Sequence, residues 1–179
     1  MTSRRRQSAR PSRTSACTCC IIVSMLPGDR LVCAFVEAQT VETQFNEWLL
    51  HVTIVPWFRL ADSSKQIAAG LARAFSAIKP FEAVAGDIVK FGPKKNRPAR
   101  LVEPVMPFEE LEKLVRNYLH KKRAWLVDET TERPRQFRPH VTVQKVGRLT
   151  EGQIFKVYKL YIVEQKGNYK EITAEIIFG

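Results

Sequence analysis

Two short stretches of the sequence each carry a histidine and a threonine two residues apart. Residues 51–54 read HVTI and residues 140–143 read HVTV, and the chain has only three histidines. Side chains alternate between the two faces of a β-strand, so in a strand each stretch presents its histidine and its threonine on one face. If two such strands lie together across a lobe boundary, one cleft receives two imidazoles and two hydroxyls.

These groups suit the hydrolysis of a phosphodiester without a metal ion. A neutral imidazole removes a proton from water while a charged imidazole gives a proton to the departing oxygen. Two histidines with a pKa of about 6.5 can hold these opposite states close to neutral pH. The hydroxyls of Thr53 and Thr142 can donate hydrogen bonds to the non-bridging phosphate oxygens. Because the two stretches are chemically alike, either His51 or His140 can be the acid.

Structural and metal-binding explanations fit the two stretches less well. One histidine–threonine pair in a strand is commonly structural, but two pairs that use two of the three histidines are much less expected. Zinc needs a third ligand, and no cysteine accompanies the stretches, while His120 lies at the basic end of a predicted helix. No Asp/Glu cluster accompanies them either, which disfavours a carboxylate-bound Mg²⁺. We therefore predict a catalytic site without metal or cofactor, formed by His51, Thr53, His140 and Thr142.

Two segments have the hydrophobic spacing of amphipathic helices. The first covers 62–80, begins with Asp62 or Ser63 as N-cap and ends at Pro80. The second covers 107–123, with acidic residues near its start and basic residues at its end, as the helix dipole favours. Their apolar stripes consist of Ile67, Leu71, Phe75 and Ile78 and of Leu111, Leu114, Val115 and Tyr118.

The rest of the chain reads mainly as strands, so the predicted fold class is α+β. Residues 41–48 fit a short helix or turn. Strands are predicted over 30–38, 49–58 (closed by Pro56), 81–91, 100–105, 140–146, 155–165 and 170–178. The order β, β, α, β, β, α, β, β, β favours two lobes, each with a helix against antiparallel strands, that flank a central cleft.

The composition favours a polyanionic partner such as RNA. The chain has 29 basic against 18 acidic side chains and a formal net charge of +11. We interpret residues 1–28 as a flexible basic extension of one globular domain over 29–179. The apolar part of the extension is far below the about 20 residues that span a bilayer, so no membrane association is predicted. The four cysteines lack zinc spacing and fit free thiols in a reducing compartment, the cytoplasm.

Basic side chains near the two stretches are candidates for phosphate contacts. Lys94, Lys95 and Arg97 form a predicted loop that would steer RNA through its phosphates, although a solvated hairpin turn explains these charges equally well. Arg138 precedes the second stretch and shares the face of its histidine if the strand extends that far. Lys145 follows the second stretch. We predict all five as substrate-binding residues.

Two aromatic side chains follow the first stretch directly. Trp57 and Phe58 can stack on a nucleobase at the mouth of the cleft, because every base offers a π-face. Packing in the core is the alternative for at least one of them. Both are predicted substrate contacts, with that alternative left open.

Both stretches resemble the motifs of the 2H phosphoesterase superfamily, which includes the 2'-5' RNA ligase-type enzymes. QFRPHVTVQK is similar to the family pattern of an aromatic residue, any residue, Pro, His, a hydrophobic residue and Thr. LLHVTIVPWF fits its Leu-His-hydrophobic-Thr strand, and the likeness runs from the first predicted strand to the end of the chain. The sequence departs from the common pattern at Pro56–Trp57–Phe58 and at Lys145, where an arginine is frequent. Both departures concern substrate preference.

The resemblance implies a bilobal 2H phosphoesterase fold whose cleft holds the two histidines and two threonines. It implies hydrolysis of RNA 2',3'-cyclic phosphate ends, with 2'-5' RNA ligation as a reversal of related chemistry, and makes His51 the proton donor and His140 the acceptor. We therefore predict a metal-independent phosphodiesterase, acting as a monomer, for 2',3'-cyclic phosphate ends of RNA or oligonucleotides. The alternatives are a phosphodiesterase for another nucleotide-derived cyclic phosphate and a non-catalytic RNA-binding module, against which the two intact pairs speak.

Overall fold

The computed structural model describes residues 30–37, 44–92, 94–126, 136–145 and 147–179. The predicted extension, three of the four cysteines and most of the loop before the second stretch lie outside these residues. Within them the chain forms two helices, α1 (Ser64–Phe75) and α2 (Val105–Lys121), and ten strands. The strands are β1 (Arg30–Glu37), β2 (Gln44–Phe45), β3 (His51–Leu60), β4 (Phe81–Phe91), β5 (Arg97–Glu103), β6 (Trp125–Leu126), β7 (His140–Thr142), β8 (Ile154–Val157), β9 (Lys159–Lys166) and β10 (Tyr169–Ile177).

One antiparallel sheet runs through the molecule and positions the site. Its strands follow the order β2-β10-β9-β1-β3-β7-β5-β4-β8, with β6 paired to β3. α1 packs on β9 and β10, while α2 packs on β3 and α1 and sets Phe108 edge-on against Phe81 of β4. The first five strands of this order form one lobe with α1, and the last four form the other, which α2 contacts through Phe108. The predicted α+β class with two helix-and-sheet lobes is therefore confirmed.

The lobes are not consecutive halves of the chain. β8 pairs with β4 in the second lobe, whereas β9 pairs with β1 in the first. The single strand predicted over 155–165 is therefore wrong, because two strands separate at Tyr158. The burial pattern changes phase at this point, since Phe155 and Val157 face the core and the next core residue is Leu160.

α1 keeps the predicted buried face but is shorter than predicted. Ser63 is the N-cap and forms a capping box with Gln66, whose side chain returns to the Ser63 backbone. The helix ends at Phe75 rather than at Pro80, and Ile78 packs against the core from beyond the helix end. Its buried stripe consists of Ile67, Leu71 and Phe75, as predicted.

α2 begins slightly earlier than predicted and packs closely against α1. Leu111 and Val115 are buried, as predicted, while Leu114 and Tyr118 pack at the border of the core. Tyr118 lies against α1 at Gly70, where an added Cβ would collide with the tyrosine ring. The contact between the helices therefore depends on a residue without a side chain.

A smaller aromatic cluster lies on the other face of the first lobe and supports the site. Phe45 of β2 belongs to it, and β2 pairs with β10 from the far end of the chain. The short helix or turn predicted over 41–48 is therefore wrong at Gln44–Phe45, where a distant strand supplies the pairing, while the chain bends at the next two residues. The buried members of this cluster are Cys33, Phe35, Phe45, Tyr161 and Val163, with Trp48, Leu49, Trp57 and Ile172 packed against them.

Candidate active site

β3 carries the first histidine–threonine pair and continues past Pro56. The prediction that Pro56 closes this strand is wrong, because a β-bulge accommodates the proline. The register against β1 runs from Ala34 opposite Val55 to Val32 opposite Phe58, which leaves an extra residue on β3. A bulge tolerates a residue that lacks a backbone N–H, so β3 continues through Pro56.

β7 carries the second pair and lies directly beside β3. Val52 and Val141, the central valines of the two stretches, stand opposite each other in this antiparallel pair, and both are buried in the core. One step to either side, the register sets the histidine of each stretch beside the threonine of the other. The four predicted catalytic side chains therefore share one face of the sheet and lie close together.

His51 occupies an apolar environment. Its Nδ1–H donates a hydrogen bond to the Leu49 carbonyl at 2.6 Å, and its ring lies 4.9 Å from the Trp48 ring and 4.8 Å from the Phe35 ring, centroid to centroid. Burial lowers the pKa of His51 from 6.5 to about 4; the Leu49 hydrogen bond opposes this shift and the charge of His140 adds to it. His51 is therefore neutral at pH 7 in the free protein, with Nε2 as the accepting nitrogen.

His140 is held in the same way but in different surroundings. Its Nδ1–H donates to the Arg138 carbonyl at 2.7 Å, and its ring stacks on Phe91 with centroids 4.1 Å apart and planes at 19°. The Arg138 guanidinium lies 5.7 Å from the centroid of the same phenylalanine. In both histidines the Nδ1 hydrogen bond to the carbonyl two residues earlier leaves Nε2 as the nitrogen for chemistry.

A cavity of about 460 Å³ opens beside His51. Thr53 and Thr142 line it together with this histidine, and Trp48 and Trp57 form an aromatic wall with ring centroids 5.6 Å apart. Aromatic walls with a few polar groups are typical of sites for small ligands. Further polar side chains in the lining are Asn96, Arg97 and Gln144.

A smaller cavity of about 160 Å³ lies beside His140. Thr53 and Pro56 line both cavities, so the two compartments meet at Thr53. The other walls of the smaller cavity come from α2, from Phe91 and from residues 136–138 just before β7. The two histidines thus face a divided cleft, one in each compartment.

The two aromatic residues predicted as substrate contacts have different positions. Trp57 is half-buried and lines the larger cavity. Phe58 is fully buried in the main core, so the prediction that it contacts substrate is wrong. The bulge in β3 gives the reason, because Phe58 stands opposite Val32 of β1 and packs with it into the main core, whereas Trp57 lies within the bulge and packs against the smaller aromatic cluster.

The predicted basic contacts also divide. Arg97 lines the larger cavity and Arg138 the smaller one. Lys94 and Lys95 lie in the exposed turn between β4 and β5, outside both linings. The structure therefore brings only the two arginines of this set to the cavities.

Lys145 connects the two lobes at the surface. Its Nζ lies 2.5 Å from Oε1 of Glu47, and both side chains are largely exposed. The hydrogen bond with Glu47 and its charge raise the pKa of Lys145. The ammonium group thus has a protein partner on the opposite side of the cleft.

Sequence reasoning missed several cavity residues. Trp48 had a signal, an aromatic residue three positions before the first histidine, but the predicted turn concealed it. Arg116 had none, because its place behind β3 results from the packing of α2. Other missed lining residues include Phe91, Asn96, Glu112, Gln136 and Gln144.

Cys33 also lines the larger cavity, and it is a buried free thiol whose pKa is raised by burial. In the parts of the chain that the structure describes, no three His, Cys, Asp or Glu side chains are grouped so that they could hold a metal ion. No helix among the same residues is long and apolar enough to cross a membrane.

The sequence model of the 2'-5' RNA ligase superfamily matches residues 31–164, more than half of the chain, and this range includes both histidine–threonine pairs. The chain belongs to the 2'-5' RNA ligase superfamily. The resemblance to the 2H phosphoesterases is thereby confirmed. No curated protein sequence gives a significant match.

Several solved structures have the same fold as this chain at low sequence identity. Escherichia coli LigT in complex with 3'-AMP has 11% identity and a TM-score of 0.53, covering 84% of this chain and 98% of LigT. TT0787 of Thermus thermophilus has 13% identity and a TM-score of 0.55, covering 83% and 97%. A structure described as a phosphoesterase has 12% identity and a TM-score of 0.52, covering 83% and 98%. At these identities the likeness establishes the fold.

Proposed function

We propose that the chain is a metal-independent phosphodiesterase that hydrolyses 2',3'-cyclic phosphate ends of RNA or oligonucleotides. The observation that carries the proposal is the register of β3 and β7, which groups two histidines and two threonines on one face. Superfamily membership supports a phosphodiesterase-type reaction, and LigT, which has a similar fold, was solved with the nucleotide 3'-AMP. The proposal includes reversible 2'-5' RNA ligation, because the same proton transfers run in both directions.

The cyclic phosphate would lie where the two cavities meet, at Thr53. One histidine takes a proton from water as the water oxygen bonds to phosphorus. The bond from phosphorus to one ribose oxygen breaks, and the other histidine protonates that oxygen. The hydroxyls of Thr53 and Thr142 donate hydrogen bonds to the non-bridging oxygens as their charge grows.

The surroundings of the two histidines bear on their roles. A proton donor must be charged before the reaction, yet burial lowers the pKa of His51 to about 4. The free protein therefore favours His51 as the acceptor, the reverse of the role that the family resemblance implies for it. A bound phosphate, being negative, would raise the pKa of His51, so the pH dependence of kcat/KM is the decisive measurement.

The larger cavity is the place for the nucleoside in this proposal. Its volume of about 460 Å³ and its tryptophan wall fit a base, which Trp57 can stack on. Arg97 lies in the same lining and can contact a phosphate. Both purines and pyrimidines can stack on a tryptophan ring, so we expect the protein to select weakly between bases.

Hydrolysis of adenosine 2',3'-cyclic phosphate in excess EDTA tests the proposal. Activity is expected to persist, and His51→Ala and His140→Ala should each lower kcat by roughly 10² to 10⁴. The matched control is His120→Ala, which removes the third histidine, exposed at the end of α2, and leaves activity unchanged. Full activity in either cleft variant would overturn the mechanism, and strict metal dependence would overturn its metal-free character.

The same assay separates the alternatives. Turnover of only other nucleotide-derived cyclic phosphates would reassign the substrate. RNA binding without any turnover would make the chain a binding module. The monomeric state and the cytoplasmic location stay predictions, of which size-exclusion chromatography tests the first.

A further inference from the structure

The smaller cavity has features that hydrolysis of a cyclic phosphate does not require. It includes His140 and Thr53 but neither His51 nor Thr142, which line the larger cavity. Its volume of about 160 Å³ is several times the roughly 30 Å³ that one water molecule occupies in the liquid. A compact group beyond the reacting phosphate therefore fits there.

The charged lining of this cavity is predominantly cationic. Arg138 and Arg116 contribute guanidinium groups, and Gln136 adds an amide. The acid among the described lining residues is Glu112, whose Oε1 lies 2.6 Å from Nε of Arg116. A guanidinium has five N–H donors, so a hydrogen bond at Nε does not exhaust its capacity.

The position of Arg116 is fixed by its neighbours. It lies one turn after Glu112 on α2, and both side chains are about four-fifths buried, with 19% and 20% exposed. Such a held guanidinium is suited to an anion, because less freedom is lost when the anion binds. Two arginines thus line the same cavity as Thr53 and can contact an anion there.

We propose that the smaller cavity binds a second phosphate of the substrate, the one attached to the 5' oxygen of the nucleotide that carries the cyclic phosphate. The proposal rests on the proposed function, since it takes the reacting phosphate to lie at Thr53. Such a phosphate occurs as a diester in an oligonucleotide and as a monoester in a nucleotide with a terminal 5' phosphate. Arg116 is then a specificity-determining residue that favours such substrates over a simple cyclic mononucleotide.

Three cyclic phosphates of adenosine distinguish the sources. Their 5' position carries a hydroxyl, a monophosphate or a phosphodiester to a second nucleoside, and kcat/KM is measured for each. The native protein should prefer both phosphorylated forms to the hydroxyl form by roughly tenfold or more, as charge-assisted hydrogen bonds provide. Preference for the monophosphate alone would assign the site to terminal phosphates, and equal kcat/KM for all three would overturn the proposal.

Substitutions on α2 test the residue assignment. Arg116→Gln should bring the ratio of phosphorylated to hydroxyl substrate close to one, whereas Glu112→Gln should raise it, because a negative charge leaves the lining. The matched control is Lys113→Gln, which removes an exposed charge from the same helix and should leave the ratio unchanged. A native ratio in a folded Arg116→Gln variant, checked by its melting temperature, would overturn the assignment.

Binding without turnover keeps the two proposals separable. Calorimetry should show adenosine 3',5'-bisphosphate binding more tightly than adenosine 3'-phosphate, with the difference lost in Arg116→Gln. This result can hold even if the histidine variants retain full hydrolysis, in which case only the proposed function fails. Equal dissociation constants for the two nucleotides would overturn the second-phosphate site while leaving the hydrolysis untouched.

Discussion

His51 and His140 make the same backbone hydrogen bond in different surroundings. Each donates from Nδ1 to the carbonyl two residues earlier, at 2.6 and 2.7 Å. His51 lies against the buried aromatic cluster, whereas His140 stacks on Phe91, with two arginines in the adjoining cavity. The local chain fixes how each ring is held, but distant elements decide what surrounds it.

The difference arises from what each strand packs against. β3 lies between β1 and β7, and Phe35 of β1 reaches His51 from a neighbouring strand. Phe45 of β2 and Tyr161 of β9 complete the apolar surroundings of Trp48 and Phe35. β7 lies between β3 and β5, and its histidine stacks on Phe91 of β4. A symmetric pair of motifs therefore yields an asymmetric pair of histidines.

The largest expected effect compares the two threonines. Thr53 lines both compartments and Thr142 only the larger one. Thr53→Val should lower kcat by roughly 10² to 10³, as the loss of one oxyanion donor does, and Thr142→Val should lower it less. Thr53→Ser keeps the hydroxyl and serves as the control, with most of the activity retained. A larger loss in Thr142→Val would mean that the reacting phosphate lies deeper in the larger cavity than we propose.

The second prediction concerns stability, because the pKa of His51 is lower in the folded protein than in the unfolded chain. Below pH 6.5 the unfolded chain takes up a proton that the folded protein does not accept until about pH 4. The free energy of unfolding should therefore fall as pH drops from 6.5 to 4, by up to about 3 kcal/mol from this group. His51→Asn should flatten the slope in urea titrations across this range. The exposed His120→Asn variant should keep it, and an unchanged slope in His51→Asn would contradict the buried, neutral state.

Part of this site was readable from the sequence. The histidine–threonine spacing and strand alternation place the histidine and threonine of each stretch on one face of its strand. Helical spacing likewise identifies Ile67, Leu71 and Phe75 as a buried face. These features depend on positions close together in the chain.

The rest depends on partners far apart in the chain. Pro56 stays within β3 because β1 supplies the facing side of a bulge, and the strand break at Tyr158 follows from two different pairing partners. Arg116 reaches the cavity through the packing of α2, and the pKa of His51 depends on burial. Periodicity within a segment carries no information on such contacts.

The third prediction alters the surroundings of one histidine and not the other. Trp48→Leu removes a ring 4.9 Å from His51 and admits water, so the pKa of His51 should rise by about one unit or more. NMR titration of the histidine ring protons measures the change directly. If His51 is the acceptor, the acidic limb of kcat/KM should move to higher pH by the same amount. Phe91→Leu, beside His140, should leave the His51 titration in place, and a shift in both variants would deny that the two environments are separate.

The smallest expected effect lies at the ion pair between the two sides of the cleft. Glu47→Gln releases Lys145, which then adds a positive charge near the larger cavity, while Lys145→Gln removes that charge. Because both side chains are largely exposed and screened by salt, kcat/KM should change by about twofold or less, upward in the first variant and downward in the second. Both changes should shrink as ionic strength rises.

Lys156→Gln, which alters an exposed lysine on β8 at the far edge of the sheet, controls for net charge and should have no effect. A large, salt-independent loss in Lys145→Gln would instead place Lys145 in direct contact with the substrate.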